Sequence, residues 1–360
     1  MIMEEEEEGR RKTSKESISN DIEDAIWKKI VVGGTKEKGR ESTCLPEILV
    51  VFLHGVHGTV SDFARLVPAL EKAAVETDKV SDDDDDDDRG GKGIFLLMPT
   101  CNQSSKRPQL IFSKTKEGIE ACAERALRVV ENTLKRPDAS RLRKIVVLGH
   151  SFGGIYGRYL LKRLVDRNIV PETLEPLHYI SVASPHLGIR RKNGVFFAAY
   201  RSLAPALAGT TATELLLQDD DEAMRKLSEG PFLRALGMFR RRTCYGNVFN
   251  DINVPLCTST LRARNPYRQA KTKLPRGIVR ESRVSTLEED DPSKSLPFSK
   301  DPHGALIRSI RSNLIRLGWN RVDCSLWGPL GLAHVQIIGQ QAGGEAVQKH
   351  IATVIINEAI

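Results

Sequence analysis

Four predominantly apolar runs of strand length stand out along the chain: Ile48-Leu49-Val50-Val51-Phe52-Leu53, Ile94-Phe95-Leu96-Leu97-Met98, Ile145-Val146-Val147-Leu148 and Tyr179-Ile180-Ser181-Val182-Ala183. Runs of this length suit strands buried on both faces of a parallel sheet, where no position alternates to solvent. Helical periodicity fills the intervals at 62–77, 117–134 and 153–167. Alternating strand and helix implies βαβ crossovers, and therefore an α/β fold with a mostly parallel central sheet and helices on both faces. Two later strands are predicted at 243–248 and 321–327 and a closing helix at 345–357, which makes six strands in all.

One large domain accommodates the 360 residues. Residues 1–45 are charge-rich and weakly periodic and read as a disordered charged arm, with at most a short element around 22–32. The α/β domain follows over 46–360. Polar inserts at about 78–93, holding the aspartate run Asp82 to Asp88, and at about 269–302 are expected as surface loops. The section at about 186–240 exceeds a simple crossover and carries apolar residues from Val195-Phe196-Phe197 to Leu215-Leu216-Leu217. It reads either as a cap insertion beside a site or as an extra pair of packed helices.

Composition changes this picture little, with 40% hydrophobic and 28% charged residues, ordinary for a globular chain. Charge changes it more. The net +7 hides a more basic remainder, because the acidic runs Glu4 to Glu8 and Asp82 to Asp88 offset two arginine-rich stretches at 225–242 and 262–280. Such stretches suit an anionic lipid surface, a phosphate-bearing substrate or nucleic acid, or else form a solvated basic face. No nucleic-acid module is visible, so no nucleic-acid partner is expected. Six cysteines lack any C-x-x-C pair, and neither a signal sequence nor a spanning segment is apparent; the expectation is a cytoplasmic protein with reduced thiols.

The chemistry concentrates at Gly149-His150-Ser151-Phe152-Gly153, a G-x-S-x-G between a buried strand and a helix. A strained strand-to-helix turn that exposes a serine needs small residues two before and two after it. A serine nucleophile then requires a histidine base later in the chain, oriented by an acid. Of eight histidines, His334 sits in a loop between the last strand and the closing helix, while His303 is the alternative and His186 follows a central strand. His150 belongs to the turn itself, with its side chain expected to point elsewhere. Asp251 closely follows the strand at 243–248, whereas its competitor Asp323 falls inside a strand. Asp219 to Asp221 read as a solvated turn. Backbone N–H groups of Val56, in the His54-Gly55 turn, and of Phe152 are candidates for stabilising an oxyanion.

With these residues in place the chain resembles the lipase-like putative serine esterase family of α/β hydrolases. The resemblance covers Phe52-Leu53-His54-Gly55, Gly149 to Gly154 with Tyr156 and Arg158, Ala183-Ser184-Pro185-His186-Leu187-Gly188 and Gly209-Thr210-Thr211. It continues through Tyr245-Gly246-Asn247 with Asp251 and from Trp319-Asn320-Arg321-Val322-Asp323 to Ala333-His334. It implies Ser151 as nucleophile, Asp251 as acid and His334 as base, and makes the segment around His186 structural or cap-hinging. The expected activity is hydrolysis of lipid acyl esters, such as acylglycerols or phospholipids, through an acyl-enzyme and without metal or cofactor. Peripheral contact with an anionic membrane or a lipid droplet is expected. A thioesterase, a protein deacylase or a non-catalytic scaffold that binds lipid or protein would share the same framework.

Overall fold

A computed structural model describes residues 24–32, 45–78, 92–103, 113–189, 209–219, 222–268, 274–285, 303–328 and 331–360. Six strands run parallel: β2 (Ile48–Leu53), β3 (Lys92–Pro99), β4 (Lys144–His150), β5 (Glu175–Val182), β6 (Arg241–Asn247) and β8 (Trp319–Ser325). β1 (Ala25–Val32) and β7 (Gly277–Val284) are antiparallel edges, giving the order β1-β3-β2-β4-β5-β6-β8-β7.

Every residue of β2 is buried because both faces of the sheet are covered. Leu49, Val51 and Leu53 enter one apolar cluster with α2 (Ile119–Leu134), α3 (Phe152–Asp166), α4 (Gly230–Met238) and α5 (Gly304–Ile315). Ile48, Val50 and Phe52 enter the opposite cluster with α1 (Leu66–Asp78) and α7 (Glu345–Ile356). Truncating such a fully buried leucine to alanine costs about 2–5 kcal/mol, so the central strand is among the most sensitive parts of the fold.

Two expectations are revised. The short element expected around 22–32 is a strand, β1, at 25–32, and the insert at 269–302 is not only loop, since 277–284 form β7. Neither is covered on both faces: β1 is largely exposed and buries only Ile30 and Val32, with Trp27 stacked on Phe95 beneath the Arg136 guanidinium, and β7 buries only Gly277 and Val284. Edge strands need no continuous apolar run, and charges such as Lys28, Lys29, Arg280 and Arg283 suit a sheet margin. The sheet therefore has eight strands rather than six. Much of the expected cap at 186–240, namely 190–208 and 220–221, and the aspartate run lie outside the described residues.

Strand order reverses beside β2: β3 lies on one side of it and β4 on the other. The crevice beyond the carboxyl ends of β2 and β4 is therefore a topological switch point, where open α/β sheets hold their ligands.

Candidate active site

Ser151 occupies the turn between β4 and α3 with φ 54 and ψ −124, a left-handed backbone that a side-chain-bearing residue adopts at a cost of about 1–3 kcal/mol. The close packing there accounts for the glycines. A Cβ on Gly149 would lie 2.3 Å from the Gly154 nitrogen, and one on Gly153 would lie 2.0 Å from the Leu53 carbonyl oxygen. The Ser151 N–H donates to the Val182 carbonyl at 2.8 Å, which ties the strained residue to the neighbouring strand.

His334 Nε2 lies 2.9 Å from Ser151 Oγ, and its Nδ1 lies 3.0 Å from Asp251 Oδ2. A carboxylate only accepts, so Nδ1 carries the proton and Nε2 is left to accept the serine hydroxyl's. His334 sits in a five-residue helix, α6 (Leu332–Gln336), where a loop had been predicted; Gly331 at φ 91 opens it. The Asp251 side chain is buried after β6, and Oδ1 accepts the N–H groups of Asn253 at 3.1 Å and Val254 at 2.8 Å. Asn247 donates to its Oδ2 at 3.0 Å. Burial pushes the Asp251 carboxyl upward, but the His334 charge and hydrogen bond, with the Val254 N–H and Asn247 amide, hold it below the ordinary aspartate range.

The turn after β2 lies directly against the serine. A Cβ on Gly55 would be 2.9 Å from Ser151 Cβ. The His57 N–H is occupied by Thr115 Oγ1 at 3.0 Å and Gly58 N–H by the Gly55 carbonyl at 3.0 Å. Val56 precedes both, between Gly55 and His57, while Phe152 is the first residue of α3, where a backbone N–H has no intrahelical acceptor. A pocket of about 230 Å³ opens over Ser151, lined by Gly55, Val56, His57, Asp62, His334 and Gln340 among others. Among the described residues no group of three or more His, Cys, Asp or Glu side chains is arranged to hold a metal ion.

The competitors lie elsewhere. Asp323 is fully buried and accepts from Arg262 Nη2 and Tyr267 Oη, both at 2.8 Å. His186 bonds Ser181 Oγ at 2.8 Å and packs on Trp319. His303 lines a separate surface groove with Leu217, Asp219 and Arg225. Asp219 accepts the Ala223 N–H, so it caps a single helical turn rather than standing free in solvent.

His150 plays a part that the sequence reading missed. Its ring turns towards the site, and Nε2–H donates to the His334 carbonyl at 2.9 Å. Burial, then the charge of His334, lowers its pKa to about 3, and burial likewise lowers His54 to about 4. Both rings are therefore neutral at ordinary pH. No local pattern announces this contact, which spans 184 positions of sequence.

The first arginine-rich stretch is far from the site. Arg241 and Arg242 begin β6, whose opposite end leads to Asp251. Their neighbours neutralise much of the charge: Arg225 pairs with Glu222 and Glu229, Arg240 with Glu175 and Arg241 with Glu358. Arg242 donates to the Phe239 and Gly318 carbonyls. The second stretch reaches the site end, because Gly277 pairs with Ser325 at the close of β8. There the Arg276 guanidinium sits against Gly343 and Arg65 packs against Gly339, on either side of the loop that carries pocket-lining Gln340.

The family model described as "Putative serine esterase (DUF676)" matches residues 46–262, a span that includes Ser151 and Asp251 and ends before His334. "Putative lipase ROG1" of Saccharomyces cerevisiae is 28% identical over 221 residues, covering 59% of this chain and 28% of that protein. "Putative lipase YDL109C" of the same yeast is 36% identical over 123 residues, covering 33% of this chain and 19% of its own. The chain thus spans less than a third of the length of these relatives. Among solved structures, the thermostable carboxylesterase EstE1 from a metagenomic library aligns at 12% identity and a TM-score of 0.42, covering 98% of this chain and 97% of that one.

Proposed function

Because the chain belongs to the putative serine esterase family, whose model matches residues 46–262, we propose that it hydrolyses carboxylic esters with Ser151 as nucleophile, His334 as base and Asp251 as orienting acid. The observation that carries this reading is the continuous hydrogen-bonded relay from Asp251 Oδ2 through His334 to Ser151 Oγ. Ser151 Oγ attacks the ester carbonyl while His334 Nε2 takes its proton, and Asp251 stabilises the resulting imidazolium. The backbone N–H groups of Val56 and Phe152 receive the oxyanion. Collapse breaks the bond to the alcohol, which leaves with the proton from Nε2. Water, deprotonated by the same nitrogen, then releases the acid from the acyl-serine and restores the hydroxyl.

Lipid acyl esters are the proposed substrate class, and an anionic membrane or lipid-droplet surface the proposed setting. The exposed cations Arg65 and Arg276, set beside the pocket loop, support this, as does the naming of the yeast relatives as lipases. Among the described residues no helix is long and apolar enough to cross a membrane, so the contact proposed is peripheral. The test is labelling by a fluorophosphonate probe, followed by hydrolysis of p-nitrophenyl esters, acyl-CoAs and acylglycerols with and without anionic vesicles. Labelling that Ser151→Ala abolishes, with acylglycerol turnover raised by vesicles, is expected. An unlabelled wild-type serine overturns the mechanism, and a preference for acyl-CoA overturns the substrate class.

A further inference from the structure

The turn that follows β2 faces a mechanical problem. It must hold a backbone donor ready for a charge that exists only in the transition state, yet it is built from Gly55, Gly58 and a left-handed His57 with φ 55. Such residues are conformationally permissive, so rigidity has to come from outside contacts. Thr115 holds the His57 N–H, and the turn's own 55–58 hydrogen bond closes its base. The remaining support is Asp62, which opens no other role in the relay.

Asp62 lies in a single 3-10 turn, Val60–Phe63, and its Oδ1 accepts the Thr59 N–H at 3.3 Å. Its Oδ2 rests against Gly58, 2.4 Å from where a Cβ would project. A capping carboxylate usually stays in water, where it costs nothing to keep charged. This one is buried at 3% exposure and lines the Ser151 pocket. Burial raises its pKa to about 6 against the pull of the Thr59 N–H and of His334. Around it stand His334 on α6, His57 on its own turn, His150 at the end of β4 and exposed Arg65 just beyond the 3-10 turn.

Resting on the esterase reading, we infer that Asp62 is a positioning residue: it clamps the Gly55–Thr59 turn in the donor-presenting conformation and sets a second negative charge beside the His334 imidazole. It touches no reacting atom in this role. The clamp needs an acceptor oxygen, which an asparagine retains, whereas the effect on the imidazole needs the charge. The two parts therefore separate by substitution.

The experiment compares wild type, Asp62→Ala and Asp62→Asn by p-nitrophenyl ester kinetics across pH and by the rate of fluorophosphonate labelling at Ser151. Asp62→Ala is expected to lower kcat and slow labelling by about 10- to 100-fold with KM little changed, short of the roughly 10²- to 10³-fold loss caused by removing an oxyanion donor outright. Asp62→Asn should keep kcat within about threefold, yet move the acid limb of kcat/KM to lower pH, because removing a nearby negative charge disfavours the imidazolium. An Asp62→Ala that labels as fast as wild type overturns the clamp. If that variant does not fold, Asp62→Asn decides alone: an unmoved acid limb overturns the proposal. Failure of wild type to label at all overturns the esterase reading instead, so the two failures are distinct.

Discussion

His150 donates from Nε2–H to the carbonyl oxygen of His334 at 2.9 Å, so the residue preceding Ser151 fixes the backbone of the residue whose ring hydrogen-bonds to Ser151. The two rings lie 5.0 Å apart between centroids. Serine and imidazole are thus registered to each other through a second route, independent of their own hydrogen bond. His150→Phe keeps the ring's bulk and removes the donor, leaving the His334 carbonyl without that partner at about 1–3 kcal/mol. We expect kcat to fall about 10- to 100-fold with KM nearly unchanged, since small displacements of a reacting group are costly. Steady-state kinetics on a soluble ester checks this; wild-type kcat would show that the contact is dispensable.

Burial of the same ring makes stability depend on acid. His150 falls from 6.5 to about 3 and His54 from 6.5 to about 4 on folding, so between those values the unfolded chain binds more protons than the native one. Stability is complete above about pH 6.5 and declines as pH drops towards 3. Melting temperature measured from pH 7 to pH 4 should fall, and His150→Phe should flatten the slope even though it melts lower at pH 7. A parallel pair of curves would contradict the assignment.

Asp251→Asn removes the charge that faces Nδ1 while leaving an oxygen for the Asn253 and Val254 N–H groups. The fold should survive, but the amide can present its NH₂ to Nδ1 and favour the wrong tautomer. A loss of about 10³- to 10⁴-fold in kcat is expected, as for serine triads generally. The depressed Asp251 carboxyl adds a stability term present above the ordinary aspartate pKa and lost as pH falls below it. Circular dichroism of the variant at pH 7, alongside its rate, tells a chemical loss from an unfolded one.

Asp323→Asn should behave in the opposite way. This carboxylate holds buried Arg262 and half-buried Tyr267 together and takes no part in the Ser151–His334–Asp251 hydrogen bonds. Breaking a buried ion pair at one partner costs about 3–5 kcal/mol, so melting temperature should drop markedly while kcat per folded molecule stays near wild type. Active-site titration with a fluorophosphonate normalises the rate, and a titrated kcat reduced by orders of magnitude would place Asp323 in the chemistry.

The amino-acid sequence by itself determined the six parallel strands and the strained serine turn. A strand covered on both faces requires an apolar residue at every position, and a turn in which a Cβ would fall 2.0–2.3 Å from neighbouring backbone requires glycine, so each demand is written locally. It also orders the candidates: Ser151, Asp251 and His334 follow β4, β6 and β8 in turn. Only the tertiary structure decided what has no local signature. Edge strands pair along one side and tolerate charge, which hides β7 in its insert and leaves β1 legible only as a short element without a partner. The hydrogen bond between residues 151 and 334 closes over 183 positions; a place after the last strand favours His334 over His303, but only the fold sets the distance. The sequence already favours Asp251 over Asp323, which falls inside a strand; the fold adds the partners, Arg262 and Tyr267, that occupy Asp323. The role of His150, the burial of Asp62 and the pairing of Arg225, Arg240 and Arg241 with carboxylates are all consequences of packing, because a side chain's partners and dielectric are set by what the fold brings beside it.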